Sequence, residues 1–320
     1  MSMFARVLKA PFLLRKPAPR PGDVLCRAAM ISDIHITKAR YRRLLLTPAL
    51  KKLGRFAPDA LVIAGDCTDN GNPANWRALA RDIQKHCRVK NVIAALGNHD
   101  TWESYACPHD YAPAKENYLR YAGGIMGARP ENVYFTREVC GVPFIVLGSE
   151  DTGVSSTLGD AQLLWLEGAL AAAARARPAG PLIVVHHSPM NHTHGVGENE
   201  HGMGIAGDAS GKLLGILDRY ENVIYVCGHI HFGLQAQGRF ATVQKAGAHV
   251  TSVCLPGYEY GELFNGKFAS PGYPLPGTGL TLDVYPDRAV LTGAAFLAGR
   301  ALPSFSYTLR FQNTNCTSSM

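Results

Sequence analysis

The chain has 320 residues, of which 47% are hydrophobic and 18% charged, enough to bury a large core in one domain or two. It contains no run of about 18 uninterrupted apolar residues, which excludes a membrane-spanning helix of ordinary length. The formal charge of +7 is compatible with a nucleic acid, an anionic membrane surface or a small phosphorylated substrate.

Residues 1–22 carry Arg6, Lys9, Arg15, Lys16 and Arg20 around a short apolar patch interrupted by Pro11. They lack a long apolar stretch followed by a small-residue cleavage site, so a flexible, solvated basic arm is expected rather than a signal peptide. Continuous apolar runs then follow at Ala28 to Ile31, Ala60 to Ala64, Val92 to Leu96, Val142 to Leu147, Leu182 to Val185 and Val223 to Val226. Unbroken apolarity of that length marks strands covered on both faces. Between them, Pro73 to Cys87 has Asp69 and Asn72 as candidate caps and Pro73 in its first turn, and Asp160 to Ala176 carries Leu163, Leu166 and Leu170 at helical spacing. Leu280 to Tyr285 and Ala289 to Phe296, joined at Pro286-Asp287, read as a hairpin, with Ser304 to Phe311 as a further strand. These late strands are expected to extend a second sheet. The alternation of strand and helix predicts an α/β layered architecture in a single domain over residues 23–312, with a disordered tail at 313–320. The eight cysteines show no CxxC pair and no framework spacing, and are expected to be reduced residues of a cytoplasmic protein.

Five short blocks stand close after apolar runs: Asp33-x-His35, Gly65-Asp66-x-x-Asp69, Gly97-Asn98-His99-Asp100, His186-His187-Ser188-Pro189 and Gly228-His229-x-His231. Carboxylate, imidazole and amide side chains suit a pair of divalent cations, and strand ends are where an open α/β sheet gathers distant residues. Taken singly, each block is ordinary: a Gly-Asp pair is often a turn, and a histidine near a strand end is more often hydrogen-bonded than a ligand. Two neighbouring cations need one shared ligand, and a carboxylate with two oxygens can bridge them. Asp66 is the candidate bridge.

In this order the blocks resemble the pattern of the calcineurin-like metallophosphoesterase family: DxH, GDxxD, GNHD or GNHE, a lone H, then GHxH. The resemblance implies a four-layer αββα sandwich, two mixed β-sheets flanked by helices, with a binuclear centre of manganese, iron or zinc at one edge. It implies that Asp33, His35 and His231 complete the ligand set of one metal around Asp66, while Asn98, His186 and His229 complete the other. Either His186 or His187 suits the lone-histidine position, and His186 is favoured because it directly follows Leu182 to Val185. By the same resemblance His99 reaches the substrate as a catalytic acid or charge stabiliser, and Asp100 orients it. Asp69 reads either as a helix cap or as support for the centre. The polar segment Asn191 to Asp208, with His192, His194 and His201, is the expected place for substrate choice, although its histidines read equally well as exposed and idle.

The implied function is that of a metal-dependent hydrolase cleaving a phosphate ester, above all a phosphodiester, by in-line attack of a hydroxide held between the two metals. A phosphomonoesterase, a nucleotide pyrophosphatase or a nuclease would use the same core. A non-catalytic assembly scaffold is the alternative from another class, and the full ligand complement with His99 retained argues against it. The expected partner is a small phosphorylated substrate, with nucleic acid less favoured.

Overall fold

The computed structural model describes residues 23–39, 43–102, 110–197, 204–234, 238–258, 263–264, 267–268 and 276–311. The arm expected over residues 1–22, the tail at 313–320 and His201 lie outside the described residues.

In chain order the strands and helices begin with β1 (Cys26–Ile31), α1 (Arg43–Leu53), β2 (Ala60–Ile63), α2 (Pro73–His86), β3 (Asn91–Ala94) and α3 (Tyr111–Met126). They continue with β4 (Phe135–Val139), β5 (Val142–Val146), α4 (Asp160–Ala176), β6 (Leu182–Val185), α5 (Ala209–Leu217), β7 (Val223–Cys227), β8 (Val243–Lys245) and β9 (Val250–Cys254). A short β10 (Leu263–Phe264) and β11 (Lys267–Phe268) precede β12 (Thr278–Val284), β13 (Arg288–Ala295) and β14 (Arg300–Arg310). Two six-stranded mixed sheets result, one ordered β14-β13-β12-β1-β2-β3 and the other β4-β5-β6-β7-β9-β8. Pairs β1/β2 and β2/β3 are parallel in the first sheet, as are β5/β6, β6/β7 and β7/β9 in the second.

Because successive strand residues face opposite sides, each sheet builds two core layers. Met30, Val62, Ile93, Phe144, Val185, Val226 and Leu282 pack between the sheets. Leu61 and Ile63 face Trp76, Leu79 and Tyr118 of the helices over the first sheet, whereas Val184 and Tyr225 face Leu166, Leu170 and Leu213 over the second. The fold is the expected sandwich of helices, sheet, sheet and helices. Each buried large side chain contributes roughly 1.5–3 kcal/mol from burial. No helix among the described residues is long and apolar enough to cross a membrane.

The two expected helices form. α4 spans Asp160–Ala176, and α2 starts at Pro73, where the side chain of Asn72 accepts from the amides of Ala74 and Asn75 at 3.0 Å each. The cap is therefore Asn72.

The late strands correct one expectation. β12 pairs antiparallel with β1, so β12 to β14 extend the first sheet and not the second. Arg27 and Asp283 lie directly opposite each other in that register. The Arg27 guanidinium donates to both Asp283 carboxylate oxygens, at 2.5 and 2.6 Å, and to the Phe56 carbonyl at 3.0 Å. A buried bidentate pair of this kind discriminates against registers and neighbours that would leave either charge alone.

Candidate metal centre

All five blocks leave the C-terminal ends of parallel strands: Asp33 and His35 after β1, Asp66 after β2, Asn98 after β3, His187 after β6, and His229 and His231 after β7. Two sheets packed face to face thus deliver their loops to one edge. The chain turns abruptly there. Asp33, His35, Asp66, His229 and His231 all have left-handed backbones, with φ of 58, 42, 47, 74 and 48°. Non-glycine residues seldom adopt that conformation, and it persists only where surrounding contacts over-determine it. Two motif glycines are required by close approach: a Cβ at Gly97 would stand 2.1 Å from Asp66 N and Oδ1, and one at Gly65, itself at φ +87°, would stand 2.4 Å from His187 Nδ1.

The side chains converge on Asp66. Ligating atoms of Asp33, His35, Asp66 and His231 all lie within 4.8 Å of one another, and so do those of Asp66, His187 and His229. Asp66 is common to both groups. Its Oδ1 accepts the His99 amide at 2.9 Å, while Oδ2 is buried without a hydrogen-bond partner among the described residues. That oxygen is 3.2 Å from His187 Nε2 and 3.8 Å from His35 Nε2. On one side, His231 Nε2 is 3.1 Å from Asp33 Oδ1 and 3.1 Å from His35 Nε2. On the other, His187 Nε2 is 3.1 Å from Asn98 Oδ1. The His187 Nδ1–H donates to the Ala64 carbonyl at 2.8 Å, so Nε2 is the nitrogen that faces inward, where a cation could take the place of its proton. Lone pairs of carboxylate, imidazole and amide facing one another at such distances fit cations, which would replace the protons otherwise needed between them.

The electrostatics agree. Burial alone would raise both carboxylates, yet His231 and His187 hold Asp33 down to about 2. His187, His99 and His35 likewise hold Asp66 well below the usual carboxylate range. Burial pushes His35 down to about 3. At His187 burial opposes the charge, but Asp66 and Asp33 outweigh it and raise the ring to about 10. The pocket is organised around positive charge at the His187–Asp66 position.

His186, the favoured lone-histidine candidate, stands elsewhere. It is fully buried, with Nδ1 2.8 Å from the Tyr225 hydroxyl and 3.2 Å from the Ser188 carbonyl, and burial holds it neutral, down to about 3. Strand parity explains the difference: Ile183 and Val185 face the layer between the sheets, where the centre opens, and Leu182 and Val184 face α4 and α5. The same alternation sends His186 to the helix side and His187 to the centre. Parity along β6 was the available signal.

Asp100 also departs from its expected role. Its carboxylate accepts from the amides of Cys67, Thr68 and Gly97 at 3.1, 2.8 and 3.0 Å and from the Thr68 hydroxyl at 2.8 Å. With four donors it ties the β2 and β3 loops together and is committed away from the His99 ring. Burial and then Asp66 raise it to about 7. His99 Nδ1 is instead 2.9 Å from the backbone carbonyl of Asp69, and the Asp69 carboxylate has an oxygen within 4.8 Å of ring nitrogens of both His35 and His99. The part-exposed His99 ring packs edge-on against His35 at 4.5 Å between centroids and lies tilted by 41° against Trp102 at 4.1 Å. Trp102, fixed by its Nε1–H to the Thr152 carbonyl at 3.1 Å, had no signal in the blocks.

In the polar segment expected to choose substrate, His194 is buried. Its Nδ1 is 2.7 Å from the Ala241 carbonyl and its Nε2 2.8 Å from Ser252 Oγ, which leaves neither nitrogen for a ligand. His192 is exposed.

The chain is similar to several known proteins. Over 201 residues the chain is 26% identical to the glycerophosphodiester phosphodiesterase GpdQ of Enterobacter lignolyticus, covering 62% of this chain and 65% of that protein. It is 31% identical over 140 residues to a probable cyclic nucleotide phosphodiesterase of Rhodococcus erythropolis, covering 42% and 40%. It is 29% identical over 187 residues to a cAMP/cGMP dual specificity phosphodiesterase of Mycobacterium tuberculosis, covering 54% and 52%. The chain thus spans between 40% and 65% of the length of these curated relatives. The purple acid phosphatase PPD1 from yellow lupin seeds shares the fold, with a TM-score of 0.60 at 14% identity over 89% of this chain and 53% of that one. The Calcineurin-like phosphoesterase family model matches residues 26–233, from the first residue of β1 to just past the last histidine block, and on that match the chain belongs to this family.

Proposed function

We propose that this chain is a metal-dependent phosphodiesterase acting on a small phosphodiester. The observation that carries the reading is Asp66: one buried carboxylate shared by two groups of ligating atoms, with an oxygen that no hydrogen bond among the described residues satisfies. Asp33, His35, Asp66 and His231 are assigned to one cation, and Asp66, Asn98, His187 and His229 to the other. Bound there, a pair of divalent cations such as manganese, iron or zinc supplies Lewis acidity and an activated water.

The chain's own residues do the rest. The His99 ring stands part-exposed beside the cluster; its Nδ1–H on the Asp69 carbonyl fixes the orientation and leaves Nε2 as the nitrogen that can exchange a proton with a leaving oxygen. Packing against Trp102 limits its rotation. Asp100 acts one step back, holding together the loops that carry Asp66 and Asn98. A diester is favoured over a monoester because all three curated relatives above are named as phosphodiesterases. A cytoplasmic location fits the unbridged, buried thiols of Cys26, Cys67, Cys227 and Cys254.

The test is a panel comprising bis(nitrophenyl) phosphate, nitrophenyl phosphate, cyclic AMP, a glycerophosphodiester and single-stranded DNA, each assayed with Mn²⁺, Fe²⁺ and Zn²⁺. At least one small diester should turn over with kcat/KM more than about tenfold above the monoester. Equal or better use of the monoester, or preference for DNA, would replace the diesterase reading.

A further inference from the structure

We propose that Cys26, Asp59 and Cys140 form a separate cation site, suited to zinc, at the end of the sandwich away from the catalytic centre. Two thiols and a carboxylate have their ligating atoms within 4.8 Å of one another. They come from three segments and from both sheets: Cys26 opens β1, Asp59 immediately precedes β2, and Cys140 lies in the turn between β4 and β5. The candidate catalytic ligands follow the opposite ends of β1 and β2. Seven residue steps, at about 3.3 Å each along the strand, separate Cys26 from Asp33, so the sites are roughly 20 Å apart.

The surroundings are built rather than incidental. Asp59 accepts the Arg27 amide through Oδ2 at 2.8 Å, and its own amide donates to the Arg27 carbonyl at 2.7 Å, which fixes the carboxylate beside β1. Cys26 is fully buried, Asp59 is half-buried and Cys140 is exposed, a gradient that leaves an entry path from solvent. Cys140 and Gly141 both have left-handed backbones, with φ of 52 and 74°. Tight hairpins of that type favour asparagine, aspartate or glycine at both central positions. Cysteine brings none of their conformational advantage, so its presence at the first position is accounted for by its sulfur.

Thiolates with one carboxylate select zinc over magnesium or calcium. Zinc–sulfur bonds of about 2.3 Å at tetrahedral angles put two sulfurs roughly 3.8 Å apart, a separation within the observed limit, and leave the fourth position for water. Such an ion would bind the first sheet to the second.

Cobalt substitution tests this in the full-length protein. None of the ligands assigned to the catalytic pair carries sulfur, so a thiolate-to-cobalt charge-transfer band reports the Cys26/Cys140 site alone. The expected result is three metal equivalents per chain and a clear band. Cys140→Ser, at an exposed turn position, should lose the band and one equivalent while diester turnover stays within about twofold. Asp59→Asn should shift the band without abolishing the fold. Two equivalents and no band in the wild type, a band unchanged in Cys140→Ser, or a metal-free Cys26–Cys140 disulfide in protein purified under reducing conditions would each overturn the proposal.

Discussion

Adjacent histidines with opposite fates give the sharpest test of the site. His187→Ala removes an imidazole whose Nε2 lies 3.2 Å from Asp66 Oδ2 and 3.1 Å from Asn98 Oδ1. One cation then loses a direct ligand, and its affinity should fall by more than the ~10–100-fold typical of losing a residue that only supports a ligand. His186→Ala removes a fully buried ring that touches Tyr225 and Ser188 on the helix side of β6. The cavity and the lost hydrogen bond should cost about 2–4 kcal/mol, or roughly 3–6 °C in Tm for a chain of this size. Metal analysis after dialysis against a buffered chelator, paired with thermal unfolding of the metal-loaded proteins, separates the outcomes. His187→Ala should retain one equivalent fewer than the wild type at the catalytic centre. His186→Ala should retain them all and melt early. If instead His186→Ala loses the metal and His187→Ala keeps it, the parity argument for β6 is wrong.

Three further outcomes follow from the geometry. Asp66→Asn keeps the shape but withdraws the charge both cations share, so at least one metal and nearly all diester turnover should disappear; two tightly held catalytic ions in an active variant would remove Asp66 from the bridge. His99→Ala should keep its metal while kcat falls by roughly 10²–10⁴, the range for a general acid, with a smaller loss for nitrophenol leaving groups; equal losses for good and poor leaving groups would point to charge stabilisation. Burial lowers His194 from 6.5 to about 4, so the unfolded chain takes up this proton first as the pH falls. Its contribution is present above pH 6.5 and is lost as the pH drops toward 4, by up to about 3 kcal/mol. Urea unfolding at pH 7.5 and 4.5 should therefore show a smaller acid loss for His194→Gln than for the wild type, and equal losses would contradict the shift.

How much of this was legible depended on whether information lay in a side-chain pattern or in a tertiary choice. Runs such as Ala60 to Ala64 and Leu182 to Val185 announce buried strands by themselves, and Asn72-Pro73 announces a helix start. Helices α1, α3 and α5 escaped because Pro48 lies inside the first, Gly123-Gly124 interrupts the second, and Gly211 and Gly215 dilute the third. β12 and β13 read correctly as a hairpin, but the strand they join is β1, and the Arg27–Asp283 pair that spans that edge links residues 256 positions apart. In the site, the ligand blocks were legible as residue types at strand ends. The choice between His186 and His187 required the facing of β6, and the Asp69 contact to His99 uses a backbone carbonyl, which any residue could supply.

The left-handed backbones at Asp33, His35, Asp66, His229 and His231 have a consequence for redesign. Glycine reaches that conformation without the penalty of a Cβ, and non-glycine residues held there cost of order 1–3 kcal/mol each. In protein stripped of metal, Gly at any of these five positions would relieve that backbone cost, but it would also forfeit the buried side chain's contacts and supply no ligand at all. A campaign that selects only for melting temperature, without metal present, registers the backbone cost and the apo contacts but not the ligands' use, so nothing in it protects the centre. Selecting in the presence of the cations restores that protection, because any ion bound to the folded state adds stability that is lost with its ligands.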